Sequence, residues 1–181
     1  MSSFIDRYKT PFIISIVMAL AVILLTDVST AQGGVLAILG GFAGIFMMDL
    51  EFLLYAHIIE PNAPESLKIK STLQSKSFIS YVRYLNENEY SFKELPLRSI
   101  LFQVLLIVFG YYIVMTSGMP FGLALILSLI ANIFYMQIIE IMKLGDLDRW
   151  FWVYNGDVTK QGSITYLVSL GLAFLGIFFF I

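Results

Sequence analysis

The chain has 181 residues, 59% hydrophobic and 13% charged, where soluble domains carry roughly 25% charged residues. A formal charge of −2 leaves no basic face for a nucleic acid. With no cysteine and a single histidine, His57, one chain has no disulfide, thiolate metal site, cysteine nucleophile or multi-histidine zinc centre.

Phe12 to Thr26 is almost wholly apolar and follows Arg7, Lys9 and Pro11. Ser29-Thr30-Ala31 resembles the small-x-small site that ends a signal peptide, but the segment is read as a retained first span over 12–28. A second span, 35–59, opens after Gly33-Gly34 and carries Ala37, Gly40 and Gly44 along one stripe. Small residues at that spacing let a second helix approach closely and pack by dispersion. Gly33 to Ile59 is 27 residues, beyond the ~20 that cross a bilayer, so this helix tilts, breaks or projects into the cytoplasm. Asp49 and Glu51 stand midway along it. A charge in hydrocarbon costs ~2.5 kcal/mol or more, so each acid calls for a polar cavity, a partner or a bound cation.

Pro61 and Pro64 end the second span. The segment 60–97 then mixes Lys68, Lys70, Lys76, Arg83 and Lys93 with Glu65, Glu87, Glu89 and Glu94. Leu67, Ile69, Leu73, Phe78, Val82 and Leu85 are interleaved, which predicts two short amphipathic helices resting on lipid headgroups; specific lipid binding is the alternative. A third span covers 99–116, Ser117-Gly118-Met119-Pro120 makes a turn, and a fourth covers 121–142. The polar belt LGDLDRWFWVYNGDVTKQGS leads into a fifth, 164–181. Within the belt, Arg149, Trp150 and Trp152 read as interfacial anchors.

With the N-terminus inside, all eleven Lys and Arg fall on the cytoplasmic side, and the turns Asp27–Gly34 and Ser117–Pro120 carry none. The prediction is an all-α, polytopic transmembrane bundle of five spans, one membrane domain over 1–181, with a cytoplasmic N-terminus.

Depth follows from ~1.5 Å of rise per residue. Asp49 is eleven residues from Glu60, and Asn132 eleven from Lys143, which places both roughly 16 Å from the inner boundary, near mid-membrane. Glu51, Gln103 and Gln137 come closer to the cytoplasm, and His57 and Glu140 lie about a turn inside it. In a straight helix Asp49 and Glu51 diverge by about 200°, so only a break near Met47-Met48 brings them together. An ionised Asp49 finds its simplest partners in Asn132 and a cation; a neutral one hydrogen-bonds across the bundle. Such groups can also simply tie helices together, at ~0.6 kcal/mol per hydrogen bond. No GxSxG, P-loop, HExxH or Rossmann glycine pattern is present.

The stretch GGFAGIFMMDLEFLLY, the turn and span TSGMPFGLALILSLIANIFYMQ, and LGDLDRWFW after it resemble the membrane-bound metal-dependent hydrolases, a family of small LexA-regulated inner-membrane proteins. That family carries a Gly-rich span leading into Leu-Pro-Asp-x-Asp-His, a histidine near the start of a later span, and His-x-x-x-Asp on another. The resemblance runs from about Gly40 to Trp152. Asp49 matches the first aspartate and Glu51 replaces the second, while Phe52 stands at the histidine and Met47-Met48 at Leu-Pro. Asn132 and Met136 take the places of the last His and Asp, and no histidine stands near Leu97 and Arg98.

The resemblance thus implies Asp49 and Glu51 as catalytic candidates. Asp49, Glu51, Asn132 and Glu140 become candidate ligands of a hard divalent ion such as Mg²⁺. They are a poor set for hydrolysis at zinc. The expected role is a structural or partner-binding subunit of a bacterial-type plasma membrane. The alternatives are a metal-dependent hydrolase using Asp49, Glu51 and either Glu140 or His57, and an ion or proton transporter working through Asp49. Membrane lipids are expected partners, as is self-association or a larger complex through the Gly40/Gly44 stripe.

Overall fold

The computed structural model describes residues 2–26, 28–74, 77–92, 94–116, 118–154 and 158–181. Asp27 and Ser117 of the two turns, Lys76 and Lys93 of the charge tally, and residues 155–157 of the polar belt lie outside them. Among the described residues there are seven α-helices and no strand: α1 (Ser2–Leu25), α2 (Ala31–Leu54), α3 (Pro64–Gln74), α4 (Phe78–Asn88), α5 (Ile100–Thr116), α6 (Pro120–Leu144) and α7 (Lys160–Ile177). The two short helices expected between the second and third spans are α3 and α4.

Three helical stretches, not five, are both long and apolar enough to cross a bilayer: Arg7–Leu25, Ala31–Ile59 and Pro120–Leu144. α5 is apolar apart from Gln103 and its terminal Thr116, but has 17 residues. α7 has 18, but it opens on Lys160-Gln161-Gly162-Ser163, which shortens its apolar part.

α1 starts at Ser2 rather than near residue 12 and carries Pro11 in its interior. Proline has no N–H to offer the carbonyl of Arg7. That turn is held from outside instead, by the side chains of Arg7 and Tyr8 on α2. α2 runs unbroken through Met47-Met48 and continues into a π turn, Tyr55–Ile59. Thr30 caps its start by accepting from the Gly33 amide at 3.1 Å, and Gly145, at φ 95°, closes α6 in the left-handed conformation that glycine adopts at no steric cost.

α6 is the central post. It packs on α2, α1, α5 and α7, and Leu123, Leu127, Ile130 and Ile133 are buried along it. The α2 contact is close because glycine permits it: a Cβ on Gly40 would run into the Phe121 carbonyl oxygen, and one on Gly44 would come within 2.9 Å of that of Leu125. Ala37 is buried on the same stripe. The Ala37/Gly40/Gly44 stripe is therefore occupied within the chain, and self-association would have to use another face.

A second core lies at one end of the bundle. Ile69, Tyr81, Val82, Leu85, Phe92 and Leu95 from 64–98, the cap, pack around Phe52, Tyr55 and Ala56 at the end of α2. The last two turns of α2 thus belong to the cap rather than to a solvated helix end. Asp49 and Glu51 sit where bundle meets cap. The start of α1, the ends of α2 and α6, and residues 98 and 149 all meet at this boundary.

The aromatic belt also departs from expectation. Trp150 is fully buried, Trp152 donates its indole N–H to the Leu95 carbonyl at 3.1 Å, and Arg149 donates to the main-chain oxygens of Glu89 and Phe92 at 3.0 and 3.3 Å. These residues hold 148–152 against the cap instead of facing a lipid interface, because the cap presents free carbonyls within their reach.

Candidate functional site

The two acids of α2 leave the helix on different faces and each meets an arginine. Asp49 Oδ1 is 2.6 Å from Arg7 Nη2, and its other oxygen accepts from the Tyr8 hydroxyl. The Tyr81 hydroxyl donates to the Asp49 main-chain carbonyl. Glu51 is wholly buried, with Oε1 2.9 Å from Arg98 Nε, an ion contact set off the hydrogen-bond direction. Residue Arg98 is itself only 3% exposed.

Glu89 joins the two pairs. Its oxygens lie 3.2 Å from Arg7 Nη1 and 2.7 Å from Arg98 Nη1. Arg7 also donates to Asn86 at 3.1 Å. Burial pushes the Glu89 carboxyl up, but the guanidiniums of Arg98 and Arg7 outweigh burial and hold it at about 2, against an ordinary 4.5. Phe52 lies between the pairs, its ring 5.8 Å from the Arg7 guanidinium carbon and 5.1 Å from that of Arg98. An aromatic face attracts a cation there and offers it no proton acceptor.

Because the folded value for Glu89 is depressed, its contribution to stability is complete above the unfolded value and disappears as pH falls through the folded one. The cap is therefore expected to stay docked at pH 5 and above and to loosen between about 4.5 and 2. Tryptophan fluorescence of the solubilised chain follows this directly, since both tryptophans lie in the belt held to the cap. In Glu89→Gln the transition should no longer fall in that window.

A cavity of about 490 Å³ opens beside the cluster, lined by α1, α2, α6 and the cap. Arg7, Asp49, Glu89, Arg98, Asn132, Glu140 and Lys143 give it polar walls, and Pro11, Ile45, Met48, Met136 and Ile139 apolar ones. Glu140 pairs with Arg149, Oε2 to Nη1, at 3.5 Å.

The remaining candidates are placed apart. Asn132 donates to the Ser15 hydroxyl at 3.0 Å and the Ser128 carbonyl at 2.9 Å, one level further from the cap, and does not meet Asp49. Gln103 and Gln137 bond each other at 2.8 Å, joined by the Tyr166 hydroxyl, so that α5, α6 and α7 are tied together. His57 is exposed, its Nδ1 2.9 Å from the Leu53 carbonyl.

Asp49, Glu51, Asn132 and Glu140 therefore do not converge. A hard divalent ion wants several oxygens around one point. Here each carboxylate instead faces a guanidinium, and among the described residues no three His, Cys, Asp or Glu side chains gather. The donor set does not fit a divalent metal. No family model, curated protein or solved structure matches the chain.

The residues missed by sequence reasoning are the cations. Arg7 and Arg98 flank apolar segments and count toward topology, and Glu89 reads as one more loop acid. The usable signal was charge bookkeeping: an acid that must be compensated, in a chain lacking the ligands for a metal, requires an arginine or a lysine.

Proposed function

We propose that the chain is a non-catalytic membrane protein, a structural or partner-binding component in which the layout of the membrane-bound metal-dependent hydrolases is kept without the metal. The observation that carries this reading is the arginine pairing of both α2 acids, which leaves them no vacancy for a cation. Purified in detergent, the protein should hold no stoichiometric divalent metal and should keep its Tm after chelation. Asp49-dependent hydrolysis of a phosphate ester or phospholipid would overturn the reading.

We further propose that α1, α2, α5, α6 and α7 all cross a plasma-type membrane, with the cap on the cytoplasmic side. Support comes from the outer face of α5, where Leu101, Val104, Leu105, Val108, Phe109, Tyr112 and Met115 are exposed at helical spacing, and from Val168, Leu172 and Leu175 on α7. Apolar surface on that scale, rare on a soluble monomer, belongs against lipid. A chain without cysteine allows a clean test by single introduced cysteines. Cysteines at Ser29 and Met119 should label from outside the cell, and those at Ser71 and Gln161 only after permeabilisation. Labelling of Ser71 and Met119 from the same side would contradict five spans.

A further inference from the structure

We propose that the cavity at the bundle–cap boundary is a headgroup site for a phospholipid bearing a primary ammonium, the ethanolamine class. This rests on the membrane-embedded, metal-free reading above. Three observations lead to it.

The first is a set of buried polar atoms left over in residues that line the cavity. Arg98 Nη2, Asn132 Oδ1 and Glu140 Oε1 have no hydrogen-bond partner, and their residues are 3%, 3% and 4% exposed. A buried group without a partner costs about 1–3 kcal/mol, so such atoms mark where a ligand or water belongs. They comprise one charged donor and two acceptors, the complement of a molecule with an anionic oxygen at one point and N–H donors at another.

The second is charge. On the cavity wall Arg7, Arg98 and Lys143 face Asp49, Glu89 and Glu140, three of each sign. A neutral but strongly divided cavity suits a zwitterion better than a net anion. Lys143 is the cation to spare: no carboxylate lies within ion-pair range of it among the described residues, and its ammonium stands 5.8 Å from the Tyr90 ring. Lys143 and Arg98 take the phosphate, and Glu140 accepts from the ammonium.

The third is shape. About 490 Å³ is within the 300–1,000 Å³ of ligand sites. Pro11 on α1 and Met136 and Ile139 on α6 make a half-buried apolar side of the cavity, and Met142, one turn beyond Ile139, is exposed. Acyl chains leave along that side while the headgroup stays under the cap. A choline headgroup has no N–H to give, and a glycerol headgroup has no positive charge, so both are discriminated against.

Native mass spectrometry of the full chain tests this, with phosphatidylethanolamine, phosphatidylcholine and phosphatidylglycerol of the same acyl composition added in detergent. Phosphatidylethanolamine should bind about tenfold more tightly than either of the others, the size expected of one charge-assisted hydrogen bond. Lys143→Ala, at an exposed position where folding is not at stake, should weaken it about tenfold, and Glu140→Gln should narrow the gap between ethanolamine and choline lipids. Equal binding of all three lipids, or no change in Lys143→Ala, overturns the proposal. So does displacement of the lipid by soluble phosphoethanolamine at equal concentration, which would make the ligand a free metabolite. None of these outcomes touches the metal content or hydrolysis on which the functional reading stands.

Discussion

Replacing Arg98 by alanine should lower stability by about 3–5 kcal/mol, the cost of leaving one member of a buried ion pair without the other. Glu51 is entirely buried, and the described structure offers its carboxylate no other cation at ion-pair distance. The same change frees one oxygen of Glu89, so the damage should spread to the docking of the cap. In thermal melts of the solubilised chain this appears as a fall in Tm of roughly 6–20 °C. The instructive companion is Arg98→Met with Glu51→Leu. Swapping a buried pair for apolar residues of similar size is often neutral or better, so the double variant should recover most of the loss. A double variant as unstable as Arg98→Ala would mean that Arg98 works mainly through Glu89.

The second large effect is expected at Gly40. Its missing side chain is what lets α2 lie directly on the backbone of α6 at Phe121. A methyl group cannot be absorbed by rotating a side chain there, because the obstruction is a main-chain oxygen. Gly40→Ala should therefore push the helices apart and cost about 1–3 kcal/mol, as overpacking does. Gly34, six residues earlier, has no atom within 4 Å of where its Cβ would stand. Gly34→Ala should be neutral or stabilise the helix by up to about 1 kcal/mol. Equal melting of the two variants would refute the close α2–α6 crossing.

How far the fold was readable varies along the chain. The helices announced themselves through apolar length, and Pro61 and Pro64 marked where the second had to change course. The Gly40/Gly44 stripe identified a helix-packing face but not the helix on it, since spacing does not name a partner. Phe52 to Ile59 is as apolar as a membrane segment, and the cap covers Phe52, Tyr55 and Ala56 of it while Leu54, Ile58 and Ile59 stay exposed. Counting residues inward from Glu60 therefore did not reveal that Asp49 stands where bundle meets cap. The reading of Trp150 as an interfacial anchor failed because its indole is buried in the bundle core.

The acids themselves were legible as an electrostatic problem, and its solution was not. Arg7, Glu89 and Arg98 are separated from Asp49 and Glu51 by tens of residues and brought together only when the cap folds back over the bundle. Phe52, where the resembled family has histidine, now makes sense as a surface shared by two guanidiniums.

The most direct test is a double-mutant cycle on Arg7 and Asp49, using Arg7→Gln, Asp49→Asn and both together, read from melts of the solubilised chain. If the guanidinium is what compensates the acid, the two losses will fall short of adding by about 0.5–3 kcal/mol, as contacting residues do. Losses that add to within about 0.3–0.5 kcal/mol would show that the two side chains do not share an interaction, and the arginine-compensated boundary would be wrong.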